Sequence, residues 1–294
     1  MPYADVLNVV LPTFITIIIG YVVGRLVKID MSGVIDIIFW VGLPALAFTS
    51  ILSHQIVLIE AAQIFAADVI VTFGCGLLAW LIFKIKREKH TGLFLPVMFP
   101  NTVNIPFPII SLAYGDSGLF AATLYYIPNV ILIYSLGIFI AAGRGWRENL
   151  INMLKVPTMY AAIIALLLNL NRIAVPALIM RPLDFIGSMV TPAVVLTLGY
   201  SLSRIKVTSI ITTGLASLVR LGGGLAIGFL IVYIFQMTGI IRSVVILMAA
   251  MPGAVNTYLI AAKYKNEPEL VASVVFITTV VSLLLIPFLL HSLT

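Results

Sequence analysis

Apolar runs of about twenty residues follow one another along the chain, each closed by a short polar or charged stretch. Runs of that length fit helices that cross a bilayer, not the roughly ten-residue strands of a membrane barrel. They predict ten spans, at about 6–27, 33–53, 60–83, 91–113, 118–142, 156–171, 183–202, 210–235, 242–262 and 269–290. Two spans carry an interruption. In the fourth it is Phe99-Pro100-Asn101-Thr102-Val103-Asn104-Ile105-Pro106-Phe107-Pro108. Pro106 and Pro108 have no N–H, so the carbonyls of Thr102 and Asn104 lose their helical partners. Ten residues of helix between His90 and Pro100 would reach roughly 15 Å, half of a ~30 Å hydrocarbon core. Non-helical backbone at that depth is tolerated only against protein or a water-filled cavity.

The ninth span repeats the pattern. Met251-Pro252-Gly253-Ala254-Val255-Asn256 matches the first interruption at Pro, Val and Asn, 152 residues later. Other positions keep similar spacing: Asp36, Pro44, Ala45 and Thr49 match Asp184, Pro192, Ala193 and Thr197, and Gly76 and Phe83 match Gly228 and Phe235. Five spans per half is an odd number, so the second half, about 150–294, is expected to insert upside down relative to 1–142. Paired interrupted helices in two inverted repeats mark the binding site of a secondary transporter.

Composition fixes the setting. The chain is 62% hydrophobic and 10% charged, against roughly 25% charged in soluble domains. Met1 to Asp5 carries no Lys or Arg, so the first span does not read as a cleavable signal. Thirteen Lys and Arg fall in the loops on one side of the ten-span arrangement and three on the other. The positive-inside rule then places both termini outside, in the plasma (inner) membrane, and accounts for the net charge of +6 without nucleic acid. One cysteine, Cys75, excludes an intrachain disulfide and a multi-cysteine metal site. His54, His90 and His291 have no metal-ligand spacing, and nothing calls for a cofactor.

Pro100-Asn101-Thr102, Ile105-Pro106, Tyr114-Gly115, Gly118 and Asn129, together with Pro252 and Asn256-Thr257-Tyr258, resemble the auxin efflux carrier family over essentially the whole chain. The resemblance implies two inverted five-helix repeats with broken fourth and ninth helices crossing at the centre, a fold similar to that of bile acid/sodium symporters. It further implies a scaffold of helices 1, 2, 6 and 7 (about 6–53 and 156–202) and a transport domain of helices 3–5 and 8–10 (about 60–142 and 210–290). The long cytosolic loop of the plant carriers is absent; 143–155 is a short connection. The glycine-rich first break of the family is not cleanly copied either.

At such a crossing, half-helix N-termini suit a carboxylate and released carbonyls suit a cation. Asn101, Thr102, Asn104, Asn256 and Thr257 are the candidate substrate-binding residues, against the blander reading that their side chains only satisfy carbonyls freed by the prolines. Asp68 and Arg220, the charges deep inside spans, are coupling candidates or structural anchors. Asp36 and Asp184 read as carboxylates starting helices two and seven. Gly20-x-x-x-Gly24 and Gly224-x-x-x-Gly228 read as close helix contacts. Tyr125, Tyr126, Asn129 and Tyr134 lie near the first break in sequence, mostly as core.

The expected function is secondary transport of a small organic anion, auxin-like or another carboxylate, by alternating access, with the coupling ion, H+ or Na+, left open. The alternative is a sodium-coupled symporter, although neither broken segment holds a carboxylate. An enzyme lacks its nucleophile–base pair or metal cluster, a channel lacks a filter-like repeat, and no Walker A sequence supports ATP hydrolysis. The lipid bilayer is the remaining partner, and a homodimer stays open.

Overall fold

The computed structural model describes residues 3–53, 56–87, 89–142 and 156–293. These form helices and no strand. They are α1 (Tyr3–Leu26), α2 (Ser32–Leu52), α3 (Leu58–Lys86), α4 (Phe94–Met98), α5 (Pro106–Ala142), α6 (Pro157–Leu170), α7 (Ala177–Leu202), α8 (Ile210–Ile234), α9 (Gly239–Ala249), α10 (Val255–Tyr264) and α11 (Pro268–Leu293). Seven of them are long and apolar enough to cross a membrane; α6 and α9 are shorter apolar helices. Helix is the dictated outcome, because backbone polar groups facing hydrocarbon must be satisfied within their own segment. Leu26, Ile85, Phe185, Tyr233 and Leu284 are large, apolar and largely uncovered, as lipid contact requires.

Helix ends follow local chemistry. Glu60 sits in the first turn of α3 and Lys84 and Lys86 in its last, both complementing the helix dipole. The helix stops where Arg87 turns left-handed, φ 57°. Likewise α10 carries Lys263 in its last turn and stops at a left-handed Lys265. Asp36 and Asp184 do not start their helices: α2 begins at Ser32 and α7 at Ala177, after Pro176. The carboxylate before α2 is Asp30, whose Oδ1 accepts a hydrogen bond from the Ser32 N–H at 3.0 Å. That bond holds the Asp30 carboxyl below its usual range.

Packing falls into two groups. α1 lies along the second half of α7, and α2 against α6 and the first half of α7. α3, α5, α8, α9, α10 and α11 pack on one another around the short α4. The first group meets at glycines: a Cβ on Gly199 would lie 2.0 Å from the Ile17 carbonyl oxygen, and one on Gly20 2.3 Å from that of Leu196. Both glycine pairs singled out in the sequence sit at close helix approaches, since a Cβ on Gly224 or Gly228 would run into Ala249. Gly199→Val should force α1 from α7 and cost about 3 kcal/mol, read as a lowered unfolding temperature in detergent. Gly33→Ala, with nothing within 4 Å, should change nothing. Equal unfolding temperatures for the two variants would refute the close contact.

Three helices contain a five-residue π-helical turn, Ile38–Gly42 in α2, Ile133–Gly137 in α5 and Val219–Gly223 in α8. Each ends on glycine, and a Cβ there would press on Val190, Phe99 or Leu78 respectively. Such widened turns recur at functional sites. Here two face the cavity described below and the third carries Arg220.

Candidate functional site

Helix stops at Met98 and resumes at Pro106, and stops again at Ala249 and resumes at Val255. The two extended stretches cross and pair. The Asn101 N–H donates to the Pro252 carbonyl at 2.6 Å, and the Ala254 N–H donates to the Phe99 carbonyl at 3.0 Å. Pro100 and Gly253 face each other between these bonds in an antiparallel bridge. Each interruption thus satisfies backbone groups of the other where both are buried. Gly253 is needed for the approach: a Cβ there would sit 2.8 Å from the Pro96 carbonyl oxygen. Its N–H donates to Thr278 Oγ1 at 3.1 Å.

The prolines act as helix starts more than helix breakers. Pro106 and Pro108 occupy the first turn of α5, where the missing N–H groups have no intrahelical partner to lose. The helix entering the first crossing is shorter than ten residues. Residues 91–93 form a turn, and α4 holds only Phe94–Met98. That turn is tied to the connection between α10 and α11. His90 Nδ1 lies 2.6 Å from Glu267 Oε1, and the Gly92 N–H donates to Glu267 Oε2 at 2.9 Å. Beyond the crossing, α5 kinks at Gly115, φ 62°, the backbone region that favours glycine.

Arg220 holds the ends of both interrupted helices. Its Nη1 donates to the carbonyls of Val97, at 3.0 Å, and Met98, and its Nη2 to the carbonyl of Ala249. These carbonyls end α4 and α9, where helix dipoles present partial negative charge and backbone acceptors lack partners. One planar guanidinium with five donors in a fork can bridge two helix ends. The side chain is fully buried, so it does not meet a substrate approaching from solution.

A cavity of about 290 Å³ adjoins the crossing. One wall is Pro100–Asn104 with Ala254, Val255 and Asn256; the opposite wall comes from α2 and α7, including Asp36, Trp40, Thr197 and Ser201. Tyr126, Asn129 and Tyr134 of α5 close the side. Among the sequence candidates, the fold therefore brings together Asn101, Thr102, Asn104 and Asn256. Asn101 Oδ1 accepts the Asn104 N–H at 2.9 Å, while its Nδ2 is buried with no partner. Asn256 is exposed to the cavity. Thr257 does not reach it: the residue is fully buried and its hydroxyl bonds the Ala254 carbonyl in the first turn of α10. Tyr125 is also fully buried and outside the cavity. Among the described residues no Lys or Arg lines the space.

Sequence reasoning missed the α2 and α7 wall. Thr197 had a signal, since it matches Thr49 in the internal repeat; Phe39, Trp40 and Ser201 had none. Among the described residues no group of His, Cys, Asp and Glu could hold a metal ion. His54, Arg144, Arg147 and Lys155, named or counted in the sequence reading, lie outside the described residues.

Apolar crossing helices around a cavity with several polar side chains in its largely apolar wall fit a multi-pass integral membrane protein of the transporter class. A family model described as membrane transport protein matches the chain twice, over residues 5–154 and 147–290. The chain belongs to that family, the auxin efflux carriers. It is similar to an uncharacterized transporter of Methanocaldococcus jannaschii, 28% identical over 95% of this chain and 96% of that one. A second uncharacterized transporter, from Methanothermobacter thermautotrophicus, is 24% identical over 95% of both chains. Proteins of this family are transporters, not enzymes.

Proposed function

We propose that the chain is a secondary transporter of small organic anions, built from ten spans in two inverted five-helix repeats. The substrate sits at the crossing of the two interrupted helices. α1, α2, α6 and α7 serve as the scaffold against which the remaining helices move in alternating access. The two packing groups support this division, and the cavity lies between them.

The observation that carries the reading is the unpaired Asn101 Nδ2, buried within a residue that lines the cavity. A buried amide donor without an acceptor costs about 1–3 kcal/mol, and a carboxylate oxygen would satisfy it. The N-terminus of α10 and the exposed Asn256 amide add donors and positive dipole on the same side. Neutral donors, with Asp36 and no Lys or Arg among the described lining residues, suit one negative charge better than two, so a monocarboxylate such as an indole carboxylate fits better than malate or malonate. The cavity runs toward Asp36, Ser201 and Leu259, at helix ends that lead into Lys28, Arg204 and Lys263. With the basic loops inside and both termini outside, this arrangement is the inward-facing one.

Counterflow in proteoliposomes tests the reading, using a panel of labelled mono- and dicarboxylates at several pH values with and without sodium. Saturable exchange of a monocarboxylate, unaffected by sodium replacement, is expected. Exchange of no carboxylate, or flux that never saturates, would overturn it.

A further inference from the structure

Asp68 and Arg220 are both fully buried, yet they make no ion pair with each other. Asp68 Oδ1 accepts a hydrogen bond from Asn129 Nδ2 at 3.0 Å, and Asn129 Oδ1 accepts one from the Thr102 hydroxyl at 3.3 Å. Asp68 Oδ2 has no partner at all. Thr102 and Asn129 line the cavity, whereas Asp68 lies behind them with no exposure. A three-residue chain of hydrogen bonds therefore joins the cavity wall to a hidden carboxyl with one unsatisfied oxygen.

The middle link of this chain has a direction. An ionised carboxylate only accepts, so Asn129 must turn its NH2 toward Asp68 and its carbonyl toward Thr102. Thr102 has a single hydroxyl proton, and in this arrangement Asn129 takes it. Only oxygen lone pairs are then left for the cavity. A carboxyl protonated on Oδ1 donates, and its natural acceptor is the Asn129 carbonyl. The amide then faces the other way, its NH2 donates to Thr102 Oγ1, and the threonine proton is released toward the cavity.

We propose that Asp68 takes up a proton and, by reversing the Asn129 amide, turns Thr102 into a hydrogen-bond donor for the transported anion. The proton comes from a hydronium ion, whose O–H bond breaks as the carboxylate O–H bond forms and which leaves as water; the rest is rotation. The proposal rests on the anion reading above and gives that site its coupling ion. It also explains why a carboxyl is kept at zero exposure with half its acceptors unused, a costly arrangement for a permanent charge.

The neighbouring groups fit the same sign. Arg220 on α8 and Tyr125 on α5 face Asp68 electrostatically, and Cys75 lies on the same helix as Asp68. Arg220 is held by the carbonyls of Val97, Met98 and Ala249, so protonation of Asp68 leaves its bonds intact. What changes is balance: with Asp68 neutral, the Arg220 charge is no longer offset, and the crossing becomes more attractive to an anion. Anion affinity should therefore rise as pH falls.

Infrared difference spectra of the purified protein between mildly alkaline and mildly acidic buffer, with no substrate present, test the switch. Because no anion is added, the result does not depend on the transport reading, which the counterflow panel tests separately. Acidification should bring up a carboxyl band that exchanges slowly in heavy water and is missing in Asp68→Asn. A side-chain amide band, missing in Asn129→Leu, should shift over the same titration. Should Asp68→Asn not fold, isotopic labelling of aspartate in the wild-type protein makes the assignment. Absence of such a slowly exchanging aspartate band would overturn the proton carrier, and an amide band indifferent to its titration would overturn the switch.

Discussion

Arg220→Met is expected to leave the protein unable to hold its two interrupted helices together, with loss of a monodisperse, folded species after extraction. Three carbonyls, of Val97, Met98 and Ala249, lose their donors at once, and none has water to turn to. The loss is smaller than the sum of three bonds, because removing the guanidinium also removes the cost of burying it. Leaving buried carbonyls without donors still costs about 1–3 kcal/mol apiece, together a large part of a typical stability of about 5–15 kcal/mol. Arg220→Lys should be intermediate. A single ammonium keeps the charge but cannot spread a planar fork across the ends of α4 and α9. Size-exclusion profiles and unfolding temperatures of the three proteins decide the matter. A methionine variant as stable as the parent would show that the carbonyls find other partners.

Asn101→Asp should spare the fold and weaken binding by on the order of a hundredfold. The side chain is nearly the same size, and one carboxylate oxygen can still accept the Asn104 N–H that shapes the crossing. The unpaired amide NH2, however, becomes an acceptor carrying negative charge. A carboxylate substrate then loses a hydrogen bond between a donor and an ion, worth roughly 1.5–3 kcal/mol, and meets repulsion in its place. Together these amount to at least about 3 kcal/mol, on the order of a hundredfold in affinity. Asn256→Asp, in the second crossing segment at the position that matches Asn104, should fall by a similar factor. Counterflow at graded substrate concentration measures both, with the unfolding temperature as the control. Wild-type exchange in Asn101→Asp would remove the crossing from the substrate's path.

The two predictions separate functions that the sequence left entangled. Asp68 and Arg220 occupy matching positions in the two halves, 152 residues apart, and both read as charges in a membrane. Spacing could not say which one served the fold. Arg220 turned out to point its donors at two helix ends, and Asp68 to keep an oxygen free beside a chain leading to the cavity. Similarly, Asn256 and Thr257 are neighbours in sequence, but helical geometry turns one toward the cavity and the other back onto the Ala254 carbonyl.

Sequence alone determined the membrane class, the family resemblance and the place of both interruptions, because these depend on local properties. Run length, missing proline N–H groups and the repeated Pro-x-x-Val-Asn spacing act within a few residues of one another. It overextended the helix before the first interruption, placing ten residues where α4 has five, since the turn at 91–93 is set by Glu267 from a connection 175 residues away. It misread Asp36 and Asp184 as helix starts, because where a helix begins depends on its whole preceding turn. The tertiary structure alone decided that the interruptions pair through Asn101 with Pro252 and Phe99 with Ala254, that one arginine closes both, and that α2 and α7 supply the far wall. Each is a contact between segments that are distant along the chain, fixed by how apolar helices pack, and a hydropathy pattern carries no record of which helix lies beside which.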